Sequence, residues 1–310
     1  MKNFKVSRGV LITAAMVIIG YIAISQFDFG HAPRQLDMAP EVFSRAEKRL
    51  TDRNAKAFSQ KLKKTDQDVK VYSDRSDSGV YEVASHALLA RNVGGRWIAS
   101  GDILVDESSL KPGFEDGTVA IAEVNEVKLW PNGEVPVEIN VVGKVRRVKK
   151  ALAVMQKFTS LRFPEYSGQS DYISFEESTE EVCQSFLGRK GGRQEIILHS
   201  TCTAGQIMHE IMHALGYVHE HSRADRDQYI KVHFDNILIH RKNQFQKLAE
   251  DISVKGEFDF YSLLLYPPTA FSRNNRSTIT KLNGEAYKSN REYLSKGDIA
   301  KIESIYGVLQ

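Results

Sequence analysis

Between His209 and His219 the chain reads HEIMHALGYVH. His209 and His213 are four residues apart, so on a helix their imidazoles lie one above the other and can face a single ion. Gly216 stands where the helix has to end, because a residue without Cβ tolerates the positive φ of a sharp turn. That turn returns His219 towards the same ion. Three neutral imidazoles leave one coordination position open, which a catalytic zinc site needs and a structural one lacks. Glu210 sits beside the first ligand, placed to take a proton from water rather than to bind the metal. Surface histidines on an amphipathic helix are the competing reading of a bare H-E-x-x-H. The glycine and the third histidine leave that reading little weight.

The run continues through Glu220 and His221 to Asp227, giving HEIMHALGYVHEHSRADRD. This resembles the astacin family of metzincin zinc metalloendopeptidases, whose pattern is H-E-x-x-H-x-x-G-F-x-H-E-x-x-R-x-D-R-D. Tyr217 stands in place of its Phe. The resemblance extends to LWPNGEVPV at 129–137, to Cys183 with LGRKGGRQ at 187–194, and to FDFYSLLLY at 258–266. It implies an α+β, two-lobed zinc protease domain over 120–310, with a mixed β-sheet and a long active-site helix. It also implies one Zn2+ per chain on His209, His213 and His219, Glu210 as general base and acid, and a protein or peptide substrate. Tyr266 matches the family tyrosine that is a fifth zinc ligand and then stabilises the oxyanion. Cys183 and Cys202 match one family disulfide; the second bridge has no cysteines here. Leu264 replaces the methionine below the zinc and Leu265 the histidine after it, and a Met-to-Leu exchange keeps the volume. Leu264 is also the support for a second reading, a catalytically impaired relative that binds peptides or envelope polymers outside the cytoplasm.

The amino terminus carries Lys2, Lys5 and Arg8 ahead of an uncharged run at 9–27, the length of a membrane-crossing helix. Residues 1–27 therefore read as a signal peptide or a signal anchor, with the rest of the chain secreted or tethered outside the cytoplasm. Residues 28–119 read as a prosegment or a small N-terminal domain. Within them Gly101-Asp102 matches the end of the family's F-x-G-D motif, with Ala99 where the Phe stands. The resemblance makes Asp102 a prosegment switch that blocks the zinc. It places the mature start near Ala120 or Ile121, and makes Glu220 the partner of the amino group freed there. Gly-Asp is also an ordinary turn pair.

Periodicity places strands at 135–142, 172–175 and 195–198, and helices at 145–158, 205–217, 236–248 and 296–306, the last capped by Ser295. The segment 188–198 is either an exposed edge for an extended substrate or an ordinary paired strand. Lys144, Arg146, Arg147, Lys149 and Lys150 read as a solvated helix face, and His221 as a rim residue. Arg273 and Arg276 offer charge to acidic substrate side chains or are simply solvated. A net charge of +3 that includes the basic leader gives no case for nucleic acid. The chain is expected to act as a monomer.

Overall fold

The computed structural model describes residues 72–73, 81–82, 87–112, 119–124, 127–253 and 255–307. The apolar run at 9–27 lies outside them, and among the described residues no helix is long and apolar enough to cross a membrane.

Strands β1 (Tyr72–Ser73) and β2 (Tyr81–Glu82) pair with each other. The main sheet contains β3 (Ala87–Val93), β4 (Arg96–Ala99), β5 (Ile103–Val105), β6 (Leu110–Pro112), β7 (Val119–Glu123), β8 (Val137–Ile139), β9 (Tyr172–Ser178), β10 (Cys183–Phe186) and β11 (Arg193–His199). Its order is β6-β7-β3-β4-β5-β10-β11-β9-β8. The sheet is mixed: β5–β10, β11–β9 and β9–β8 are parallel and the other pairs antiparallel. A short pair, β12 (Ile230–Val232) and β13 (Ile279–Lys281), lies apart from it.

Helices α1 (Val145–Phe158), α2 (Ala204–Ala214) and α4 (Lys296–Tyr306) contribute to one core with the inner face of β9 and β11, while α3 (Glu250–Ser253) is a single turn. Along α1 the buried residues are Val148, Ala151, Leu152 and Met155, the spacing of one helical face. Ile173, Phe175, Ile196 and Leu198 meet them from alternate strand positions. Trp130 closes the end of this core and donates its indole N–H to Ala214 O at 2.9 Å. A second cluster with Ile230, Ile237, Phe245, Leu265 and Tyr266 lies under the site. A third joins Leu88, Ala90, Ala99 and Ala122 of the β3–β7 unit to Val218, Leu248, Ala249 and Ile252.

Several expectations change. The helix expected at 236–248 is instead a 3-10 turn at Phe234–Asn236 followed by another at Ile239–Phe245. Its late carbonyls are taken by side chains from elsewhere: Gln244 O accepts from His221 and Phe245 O from Arg226. The edge reading of 188–198 also fails, because β11 is paired on both sides by β10 and β9. The basic run on α1 is not wholly solvated. Lys144 is buried and donates to Glu177 at 2.7 Å and to Leu198 O at 2.9 Å, and Arg147 reaches Ser200 O. Strand β8 is shorter than the expected 135–142.

Met155 is fully buried in the main core. Met155→Ala is expected to lower unfolding stability by about 3 kcal/mol in a urea titration, and Leu282→Ala, 58% exposed, by less than about 0.5 kcal/mol.

Candidate metal centre

Helix α2 starts at a capping box. Thr203 Oγ1 accepts from Gln206 N at 3.2 Å, and Gln206 Oε1 accepts from Thr203 N at 2.9 Å. The Cys183–Cys202 disulfide ties β10 to the residue just before that cap. At the other end Gly216 has φ +101°, and a Cβ there would meet Val127 Cγ1 at 2.6 Å. The reversal therefore needs glycine on two counts, and it carries the chain back to His219.

The three Nε2 atoms converge. His209 Nε2 is 3.1 Å from His213 Nε2 and 3.3 Å from His219 Nε2. His209 Nδ1 donates to Leu263 O at 2.8 Å and His213 Nδ1 to Tyr217 O at 2.7 Å. These bonds fix the tautomer of His209 and His213, leaving their Nε2 lone pairs facing His219 Nε2. Lone pairs so arranged repel unless a cation lies between them. Four ligands at about 2.1 Å from a tetrahedral zinc are separated by about 3.4 Å, close to the spacings here. The donor set fits zinc, and Asp102 completes the group that can hold one ion. Asp102 Oδ2 is 3.2 Å from both His209 Nε2 and His219 Nε2, and its Oδ1 is 3.4 Å from His213 Nε2.

Electrostatics agree with this arrangement. Burial lowers the pKa of His219 to about 4 and lowers that of His209, so both imidazoles are neutral at pH 7. Burial opposes ionisation of Asp102, but the positive charge that the imidazoles around it would carry, His219 first, outweighs burial and holds the carboxyl well below its usual range. Neutral imidazoles beside an ionised Asp102 are the combination that a shared cation favours. Burial and the Asp102 charge push the Glu210 carboxyl well above its usual range, against the pull of Arg291. Glu210 Oε2 is buried and has no hydrogen-bond partner among the described residues.

Tyr266 is buried with its ring 4.6 Å from that of His219, and its hydroxyl donates to Ser100 O at 2.7 Å. Gly101 is equally tight, since a Cβ on it would lie 2.6 Å from the Tyr266 hydroxyl. The segment 100–102 thus touches both the histidines and the tyrosine. Leu264 packs into the main core. Its carbonyl accepts from Glu220 N at 3.0 Å, and Leu263 O serves His209. What this turn gives the site comes from its backbone, which leucine retains. The turn is held by buried Asp298 of α4, which accepts from Ser262 Oγ at 2.6 Å and Leu263 N at 3.0 Å.

Three residues contribute beyond those the sequence singles out. His221 is buried rather than on the rim, with its ring 3.9 Å from that of Tyr266. Arg291 supplies positive charge felt by Glu210, Tyr266 and His209, whereas Arg273 is exposed and tied to Asp235 O. Lys301 pairs with Glu220 at 2.6 Å. No spacing along the chain assigns a role to any of the three, and for α4 the cap at Ser295 marks a helix start but not a link to the site.

Residues 122–307 match the model of the Astacin peptidase family. The chain is 36% identical over 227 residues to zinc metalloproteinase nas-6 of Caenorhabditis elegans, covering 68% of this chain and 64% of that protein. It is 33% identical to astacin-like metalloprotease toxin 1 of Loxosceles intermedia, covering 67% of this chain and 85% of that one. Among solved structures, high choriolytic enzyme 1, a hatching enzyme zinc-protease from Oryzias latipes, aligns with a TM-score of 0.53 and 31% identity, over 58% of this chain and 94% of that one. The match to nas-6 spans less than two thirds of that relative's own length.

Removing metal with a chelator is expected to make stability depend on pH. The folded chain keeps His209 and His219 neutral while the unfolded chain takes up protons below the ordinary value of 6.5. Stability should therefore fall as pH drops from about 6.5 towards 4, read as a lower urea midpoint at pH 5 than at pH 7. Zinc at saturating concentration should raise both midpoints.

Proposed function

The chain belongs to the astacin family of peptidases, and from that premise we propose that it is a zinc endopeptidase held latent by its own residues 28–119. The observation that carries this reading is the convergence of the three Nε2 atoms beside a buried, unpartnered Glu210 Oε2. When bound, zinc supplies Lewis acidity and makes water acidic near neutral pH. Glu210 takes one proton as the water oxygen adds to the scissile carbonyl carbon, and returns it to the departing amide nitrogen. One carboxyl and one amine terminus result. The Tyr266 hydroxyl, once parted from Ser100 O, donates a hydrogen bond to the oxyanion.

Latency rests on two contacts of the same segment. Asp102 faces all three imidazoles, where a substrate carbonyl has to approach. Strand β5 pairs along β10 through Ser185↔Ile103 and Phe186↔Leu104, filling the strand edge next to the site. Burial first and the Asp102 charge second raise the pKa of Glu210, so the departure of Asp102 removes part of the bias against its ionised form. Work outside the cytoplasm is supported by the Cys183–Cys202 disulfide and the apolar run at 9–27.

A mixed peptide library offered to the full-length protein, cut on the amino-terminal side of Ala120, tests this beside a Glu210→Gln twin. The parent is expected to cleave, and Glu210→Gln to lose about 10³-fold in kcat/KM while binding one zinc per chain. Cleavage by neither form, with zinc in both, removes the endopeptidase reading. In the uncut chain Asp102→Ala is expected to raise turnover above the parent, and no rise would remove the switch.

A further inference from the structure

Glu220 follows the third histidine and is 3% exposed. Its amide donates to Leu264 O, which fixes the strap that presents His219. Its carboxylate is fully engaged. Oε1 accepts from Asp259 N at 2.8 Å and from Arg223 Nη1 at 3.3 Å, and Oε2 accepts from Lys301 Nζ at 2.6 Å. Arg223 also holds Asp225 through two bonds, at 2.8 and 2.7 Å. Two cations thus meet the Glu220 carboxylate, buried Asp298 also lies near Lys301, and Arg223, Lys301 and Glu220 are all nearly inaccessible to water.

Lys301 also acts through its backbone. Its carbonyl accepts from the Tyr217 hydroxyl at 2.9 Å, and Tyr217 O in turn holds His213 Nδ1. One residue of α4 thus anchors both ends of the reversal, Tyr217 on the side of the second histidine and Glu220 on the side of the third. A further ammonium at Glu220 would have to displace Lys301, Arg223 or Asp259 N from a buried carboxylate whose two oxygens are already taken.

We propose that Lys301 is the positioning residue that completes the Glu220 carboxylate from within the chain, fixing His219, so that no amino group freed by processing is needed there. The part concerning processing rests on the latent-peptidase reading; the part concerning His219 does not. Lys301 reaches the site across the sequence from the C-terminal helix, and its bonds are made while 119–123 is still paired in the sheet as β7.

The test uses the full-length protein loaded with cobalt(II), as parent, Lys301→Arg, Lys301→Met and Lys301→Met/Glu220→Gln. The visible cobalt spectrum and the rate of metal loss to a chelator are read beside the melting temperature. Lys301→Met is expected to alter the spectrum and speed metal loss about tenfold. Lys301→Arg should restore most of both, and the double variant part, since neutral glutamine needs no cation. A lower melting temperature with unchanged spectrum and release rate would overturn the proposal, as would failure of both the arginine and the double variant to recover. In a second arm a specific endoprotease site is placed at three positions within 113–118, so that cutting leaves three different amino termini. Peptide turnover equal within about twofold across the three supports the proposal, and turnover confined to one terminus overturns it. If no cut form hydrolyses peptide, the peptidase reading fails, and the cobalt arm alone still decides the role of Lys301.

Discussion

Three imidazoles are buried with their Nε2 atoms facing one another, an arrangement that costs stability without a cation, and much of the rest of the structure holds them there. Two backbone carbonyls, Leu263 O and Tyr217 O, choose the tautomer of His209 and His213. Each of those carbonyls is itself anchored from α4: Asp298 binds the turn at Ser262 and Leu263, and Lys301 binds Tyr217 and Glu220. The C-terminal helix is remote from the motif in sequence, yet it is the frame against which the motif is aligned. A site built this way exchanges burial of polar groups for rigidity, and the cation that settles the facing lone pairs stabilises the arrangement.

The amino-terminal β3–β7 unit meets this frame at three kinds of contact. It continues the sheet through β5 on β10, and shares an apolar cluster with Val218, Leu248, Ala249 and Ile252. Its loop at 100–102 carries Ser100 O to Tyr266 and Asp102 to the histidines. Backbone pairing gives the loop its register, so a single carboxylate arrives where the three Nε2 atoms meet. Ser100 and Gly101 both have positive φ, which turns Asp102 inwards between β4 and β5.

Much of the site was legible in the sequence because its parts are local. The ligand spacing requires a helix and a glycine reversal, and both are present, with the capping box at Thr203 as the start signal. The α1 and α4 helices follow their apolar spacing, and Ser295 caps the latter as its residue type suggests. The segment 236–248 shows where such reading stops. Its helical spacing is real, but His221 and Arg226 bind the segment through Gln244 O and Phe245 O, and nothing within it announces those partners.

By itself the sequence determined the candidate ligand set, the neighbouring glutamate, the family and the cysteine pair, because each is written in spacing along one short stretch or in aligned motifs. Only the tertiary structure decided which groups answer to that set from a distance. Ser100 O, Asp298, Arg291 and Lys301 reach the site through sheet pairing and helix packing that bring together residues far apart in the chain. Side-chain charge and hydrogen bonding depend on separation in space, and for these residues that separation is set by the whole fold.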